Sequence, residues 1–201
     1  MKIVIIDYDA GNVGSVANAL KRLGVNEFEI TSNIEVIKVA DGVIFPGQGR
    51  AGPAMRSLEE SGLDKLIPTL KQPFLGICLG LQFLMESSDE DNTTALGIVK
   101  GSCTKLKTDL PVPHMGWNEL QIEQATDLFK GVAAGEHVYF ANSYVVNPAG
   151  DETTATTVYG DRFSCAIKKE NFYGIQFHPE KSGPTGERIL RNFIGLCGGR
   201  T

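Results

Sequence analysis

Four cysteines and three histidines are the groups from which this 201-residue chain could build nucleophilic chemistry, and their surroundings single out one of each. Cys78 lies in Gly76-Ile77-Cys78-Leu79-Gly80-Leu81-Gln82, where an apolar run over residues 74–77 gives way to helical spacing at Leu81, Leu84 and Met85. Glycines two positions to either side permit a tight turn and close approach of other backbone, so the pattern predicts a nucleophile elbow. A helix starting there would turn N–H groups and its positive dipole end toward the sulfur, the setting in which a thiolate is stabilised. A free cysteine is more commonly a small buried hydrophobe, and a second motif shifts the balance. In Gly174-Ile175-Gln176-Phe177-His178-Pro179-Glu180 a strand pattern ends in a histidine followed two residues later by a carboxylate. The imidazole can take the thiol proton and return it to a leaving amine, while the carboxylate fixes its tautomer and steadies the cation. Pro179 cannot extend a ladder, so the chain turns and both side chains can converge. Cys78, His178 and Glu180 are the candidate catalytic residues.

A third segment, Pro46-Gly47-Gln48-Gly49, follows a predicted strand and falls at the carboxyl edge of a sheet, where α/β proteins bind ligands. N–H groups of Gly47, Gln48 and Gly49, with that of Leu79, could hold the oxyanion formed when a thiolate attacks an amide carbonyl. Gly47-Gln48-Gly49-Arg50-Ala51-Gly52 also spells Gly-x-Gly-x-x-Gly, the dinucleotide fingerprint. We read that match as a decoy. It follows the third predicted strand instead of the first, and residues 67–72 hold no ribose-binding carboxylate.

Positioning these groups calls for an alternation of strands and helices. Residues 2–7, 28–31, 42–45 and 74–77 read as strands. Val13, Val16, Ala17 and Leu20 repeat at helical spacing, with Gly24 closing that helix. Residues 53–61 and 63–70 read as further helices. Beyond about residue 95 the chain is strand-rich, over residues 99–106, 117–122, 137–146, 153–159, 163–167 and 172–177, before a last helix starting near Pro184 with Ile189, Leu190, Phe193, Ile194 and Cys197 on its buried stripe. The expected class is α/β, three-layered, with a mostly parallel central sheet, helices on both faces and a β-rich C-terminal half. One domain over residues 1–201 is expected.

Composition narrows the function classes. A hydrophobic fraction of 42% and a charged fraction of 21% are those of a globular protein. The net charge of -5 and scattered cations offer no basic stripe for nucleic acid. The apolar run before Asp7 is too short for a signal peptide or a membrane span, and no membrane partner is expected. No Cys-x-x-Cys pair and no ligand-like histidine spacing occur, so a reduced, cytoplasmic protein with no metal and no cofactor is the simplest expectation. His114 has no carboxylate at a useful spacing and reads as structural or interfacial; Met115 and Trp117 read as packing residues.

Together, residues 46–49, 76–82 and 177–180, in that order, resemble the class I, triad-type glutamine amidotransferases. The resemblance implies glutamine hydrolysis through a glutamyl thioester on Cys78, with Gln82 and the nearby acid Glu90 binding substrate. Pro113-His114-Met115-Gly116-Trp117-Asn118 is similar to the signature of the amidotransferase subunits of imidazole glycerol phosphate synthases. Residues 7–13, Tyr139-Phe140-Ala141-Asn142-Ser143-Tyr144 and Pro179-Glu180-Lys181-Ser182 look like the same subunits. This implies Asn142, Ser143 and Tyr144 at the glutamine site, Asn12, Tyr139 and Lys181 at a partner contact, and a heterodimer with a (β/α)₈-barrel cyclase. Many relatives carry histidine at 142 and valine at 48. A glutaminase serving another acceptor, a cysteine hydrolase of similar sheet topology and a non-enzymatic scaffold are the alternatives; residues 113–118 argue against the first.

Overall fold

A computed structural model gives the fold of residues 1–8 and 12–198. Asp9, Ala10 and Gly11 of the opening motif lie outside the described residues. Strand β1 (Ile3–Ile6) shows why the chain layers as it does. Successive side chains leave a strand on opposite faces, so Ile3 and Ile5 enter one apolar cluster while Val4 and Ile6 enter another. Both faces therefore need cover. On the first, α1 (Val13–Arg22) contributes Val16, Ala17 and Leu20, and α6 (Gly183–Leu196) contributes Ile189, Leu190 and Phe193. On the second, α2 (Ile34–Lys38) contributes Ile37, α3 (Ala51–Ser61) Ala54, Met55 and Leu58, and α4 (Leu63–Leu66) its two leucines.

The central strands are parallel, in the order β2 (Phe28–Thr31), β1, β3 (Gly42–Gly47), β4 (Phe74–Cys78) and β14 (Phe172–Ile175). Pairing of Ile77 with Ile175 across β4 and β14 brings both strands to their carboxyl ends side by side. The sheet then continues through β13 (Asp161–Lys169), β11 (Tyr144–Pro148), β7 (Gly101–Lys105), β5 (Ser87–Ser88) and β6 (Thr93–Thr94), mostly antiparallel. β12 (Thr153–Tyr159) joins β13 and the short β9 (Gln121–Ile122). A separate antiparallel pair, β8 (His114–Glu119) and β10 (His137–Asn142), lies against this framework.

Several boundaries differ from the sequence expectation. Residues 137–146, read as one strand, break at Ser143 into β10 and β11, which belong to different sheets. Residues 63–70 give α4 and a 3-10 turn at Ile67–Thr69, because Pro68 has no N–H to continue an α-helix. The helix after Cys78, α5 (Leu79–Gln82), has only four residues; Leu84 and Met85 close it with tighter bonds back to Leu81 and Gln82. Gly24, at φ +84°, closes α1 as expected, with Val25 N–H bonded to the Leu20 carbonyl. Met115 and Trp117 are not packed: they lie on the open face of β8, 65% and 56% exposed. A two-stranded ribbon buries one face, and the alternation of β8 gives that face to His114.

Glycines around β4 carry the tightest contacts. A Cβ on Gly80 would stand 1.9 Å from the Phe45 carbonyl oxygen, and one on Gly76 2.6 Å from that of Gly80. These neighbours are backbone and cannot swing aside. Gly80→Ala is expected to destabilise the fold by about 3 kcal/mol, read as a lowered urea midpoint; an unchanged midpoint would show that β3 and α5 need not approach so closely.

Candidate active site

Cys78 ends β4 with φ 55° and ψ -107°. A non-glycine residue in this region carries strain of roughly 1–3 kcal/mol and persists only where its surroundings hold it. Here the surroundings are Gly76, Gly80 and Gly47. A Cβ on Gly47 would meet the Tyr8 hydroxyl at 2.3 Å and the Leu79 Cβ at 2.8 Å. Burial, then the charge of Cys78, pushes the Tyr8 hydroxyl well above its ordinary range, so it remains a neutral phenol.

The adjacency of β4 and β14 delivers His178 to Cys78. His178 Nδ1 stands 2.9 Å from Glu180 Oε1, both side chains almost fully enclosed. Nδ1 is taken up by the carboxylate, which leaves the other ring nitrogen as the one available to Cys78. Burial alone would lower the imidazole, but the hydrogen bonds and charges of Cys78 and Glu180 outweigh it and hold His178 raised to about 9. The loop bearing both residues is tied at its backbone. His178 N–H donates to the Tyr139 carbonyl at 2.8 Å, Ser182 Oγ donates to the His178 carbonyl at 2.6 Å, and Tyr139 N–H donates to Ser182 Oγ at 3.0 Å.

A pocket of roughly 150 Å³ opens beside the sulfur, lined by Gln48, Gly49, Cys78, Leu79, Gln82, Glu90, Pro113, Ala141, Asn142, Ser143 and Tyr144. All the residues expected at a substrate site line it except Gly47, which is buried beneath, against Tyr8 and Leu79. The change of sheet at Ser143 explains why four consecutive residues, Ala141 to Tyr144, reach the pocket. Glu90 Oε2 accepts from Ala51 N–H at 2.9 Å, and burial, outweighing that bond, raises its carboxyl. Asn142 donates to the Tyr144 carbonyl at 3.0 Å, while its Oδ1 is buried without a partner.

The three residues expected at a partner contact gather near the triad. Asn12 caps no helical N–H; its Nδ2 donates to Glu180 Oε1 at 3.2 Å. Lys181 Nζ lies 5.9 Å from the centre of the Tyr139 ring. His114, in contrast, is stacked between Tyr159 and Phe140, with ring centres at 3.9 and 4.8 Å. Burial lowers it to about 4, so it is a neutral core group. One residue missed by sequence reasoning is Gln176, fully buried, whose Nε2 donates to Cys78 Sγ at 3.5 Å. Its only signal was a polar side chain inside an apolar strand pattern. Among the described residues, no group of three or more His, Cys, Asp or Glu is placed to hold a metal ion.

The raised imidazole has a consequence for stability. Its folded value, about 9, exceeds the ordinary 6.5, so the protonated form stabilises the fold fully below about pH 6.5, and that contribution, on the order of 3 kcal/mol, disappears as pH rises through 9. Urea stability should fall over that interval in the wild type and fall less in His178→Gln. Parallel curves for the two proteins would contradict the assigned protonation.

The family model Glutamine amidotransferase class-I matches residues 4–196. Imidazole glycerol phosphate synthase subunit HisH of Bacteroides fragilis (strain YCH46) is 51% identical, covering 98% of this chain and 100% of the relative. The subunit of the same name from Haemophilus influenzae (strain ATCC 51907 / DSM 11121 / KW20 / Rd) is 46% identical, covering 96% of this chain and 97% of the relative. A solved structure described as a glutamine amidotransferase superposes with a TM-score of 0.75 at 20% identity, covering 98% of this chain and 99% of that one, a likeness of fold. With a nucleophile elbow, a Cys-His-Glu constellation and full-length likeness in agreement, the chain belongs to the class-I glutamine amidotransferase family and, within it, to the imidazole glycerol phosphate synthase subunit HisH group.

Proposed function

We propose that this single-domain chain is the glutaminase subunit of an imidazole glycerol phosphate synthase, releasing ammonia from glutamine for a partner that completes a step of histidine biosynthesis. The observation that carries the reading is the buried His178–Glu180 pair beyond the end of β14, set beside β4 and its Cys78, whose sulfur faces a small pocket. Cys78 Sγ attacks the side-chain amide carbon of glutamine; a carbon–sulfur bond forms and the carbonyl electrons move to oxygen. N–H groups of Leu79 and of residues 47–49 receive that charge, and loss of one such donor costs about 3 kcal/mol of transition-state stabilisation. Collapse breaks the carbon–nitrogen bond, His178 protonates the departing amine, and ammonia leaves. Water, deprotonated by His178, then hydrolyses the glutamyl thioester and regenerates the thiol. Gln82, Glu90, Asn142, Ser143 and Tyr144 hold the substrate.

The partner in this reading is a (β/α)₈-barrel cyclase, paired as a heterodimer, that takes up the ammonia to form imidazole glycerol phosphate and an aminoimidazole carboxamide ribonucleotide. A closed interface keeps ammonia from water, which would protonate it and remove its nucleophilic lone pair. Exposed Met115 and Trp117, beside Tyr139 and Lys181, supply an apolar face with a cation for that contact. Asn12 and Tyr139 bond the loop of Glu180 and His178 directly, so docking there acts on the triad. Among the described residues, no helix is long and apolar enough to cross a membrane, and the reading places the complex in the cytoplasm.

Glutamate release from glutamine should be strongly stimulated when the cyclase and its nucleotide ligand are added. Cys78→Ala should abolish release by a factor of roughly 10⁴ or more while leaving cyclase binding intact. Retained turnover in Cys78→Ala would remove the nucleophile assignment; wild-type turnover indifferent to the cyclase would point to another acceptor.

A further inference from the structure

Gln176 is a polar side chain in a place that favours an apolar one. Its chain neighbours Ile175 and Phe177 are fully buried, and its own exposure is 0%. Both ends of its amide are used. Nε2 donates to Cys78 Sγ at 3.5 Å, and Oε1 accepts from Gln82 Nε2 at 3.2 Å. Gln82 Nε2 also donates to the Tyr144 carbonyl at 3.3 Å. A relay of amides thus runs from the pocket wall to the sulfur.

The direction of this relay follows from its far end. A backbone carbonyl can only accept, so Gln82 must turn its NH₂ toward Tyr144. The second hydrogen of that NH₂ then faces Gln176, which must present its oxygen and leave its own NH₂ toward Cys78. A thiolate likewise only accepts. Sulfur and carbonyl therefore sit at the two accepting ends of a chain whose donors have one consistent orientation.

We propose that Gln176 is a positioning residue for the nucleophile: its N–H fixes the direction of Cys78 Sγ and stabilises the charge on sulfur before attack, and Gln82 holds the amide that does so. The proposal rests on Cys78 being the nucleophile. It also gives Gln82 a second task. Besides lining the pocket, Gln82 links substrate occupancy to the sulfur through one intervening side chain.

Labelling of the wild-type chain by a diazoketone analogue of glutamine is measured first, because failure to modify Cys78 overturns the glutaminase reading itself. Gln176→Met keeps volume and burial but removes the donor to sulfur and the acceptor of Gln82, which keeps its bond to the Tyr144 carbonyl. Its kcat for glutamine should fall by about tenfold or more, with KM little changed, and alkylation of Cys78 by iodoacetamide, which does not need the pocket, should slow in parallel. Gln176→Glu keeps the shape and the acceptor for Gln82 but turns a carboxylate oxygen to the sulfur, and should be slower still; it carries the comparison alone if Gln176→Met does not fold. Normal wild-type labelling, with a raised KM and an unchanged or faster iodoacetamide reaction in the variants, would show that Gln176 only packs the pocket wall and would overturn the proposal.

Discussion

The strained turn at Cys78 is the constraint on which the site depends. A side chain held at positive φ would relax unless backbone from several directions fixed it. Gly47, Gly76 and Gly80 allow that enclosure, since β3, β4 and α5 approach to distances no Cβ would tolerate. The same closeness sets Gly47 directly against Leu79, the residue after the nucleophile. Packing against the Phe45 carbonyl and the Tyr8 ring thus serves stability and pocket geometry at once.

Two further placements follow from sheet topology. Because β14 lies beside β4 and runs parallel to it, both strands end on the same edge, and the residues just beyond them meet. The break between β10 and β11 sends one segment past the pocket as it changes sheets, which supplies Asn142, Ser143 and Tyr144. Electrostatics then favours the protonated imidazole: burial disfavours the charge, but the neighbouring sulfur and carboxylate outweigh it. Asn12 and Tyr139, both half-buried, bond this arrangement from outside; in the proposed reading a partner docking there would touch the supports of His178 and Glu180.

Much of this was legible in the chain itself. The central strands and the amphipathic helices were readable because period two and period 3.6 leave distinct marks, and the triad because glycine spacing and a His-x-Glu pair announce a tight turn and an oriented base. Other features left no such mark. The two-residue strands β5 and β6 and the five-residue α2 are too short for periodicity. Met115 and Trp117 looked like core because size and apolarity do not reveal which face of a ribbon is covered. Gln176 leaves no mark because a lone amide in an apolar strand signals its partners only once the fold has supplied them, across 98 and 94 residues of sequence.

The central claim is that glutamine hydrolysis passes through a covalent bond to Cys78. The most direct measurement is intact-mass and peptide mapping of the chain, together with its cyclase partner, quenched in acid during steady-state turnover of glutamine. The account predicts a glutamyl adduct on the peptide bearing Cys78, absent from peptides bearing Cys103, Cys165 and Cys197. Full turnover with no adduct on Cys78, or an adduct on another cysteine, would contradict it.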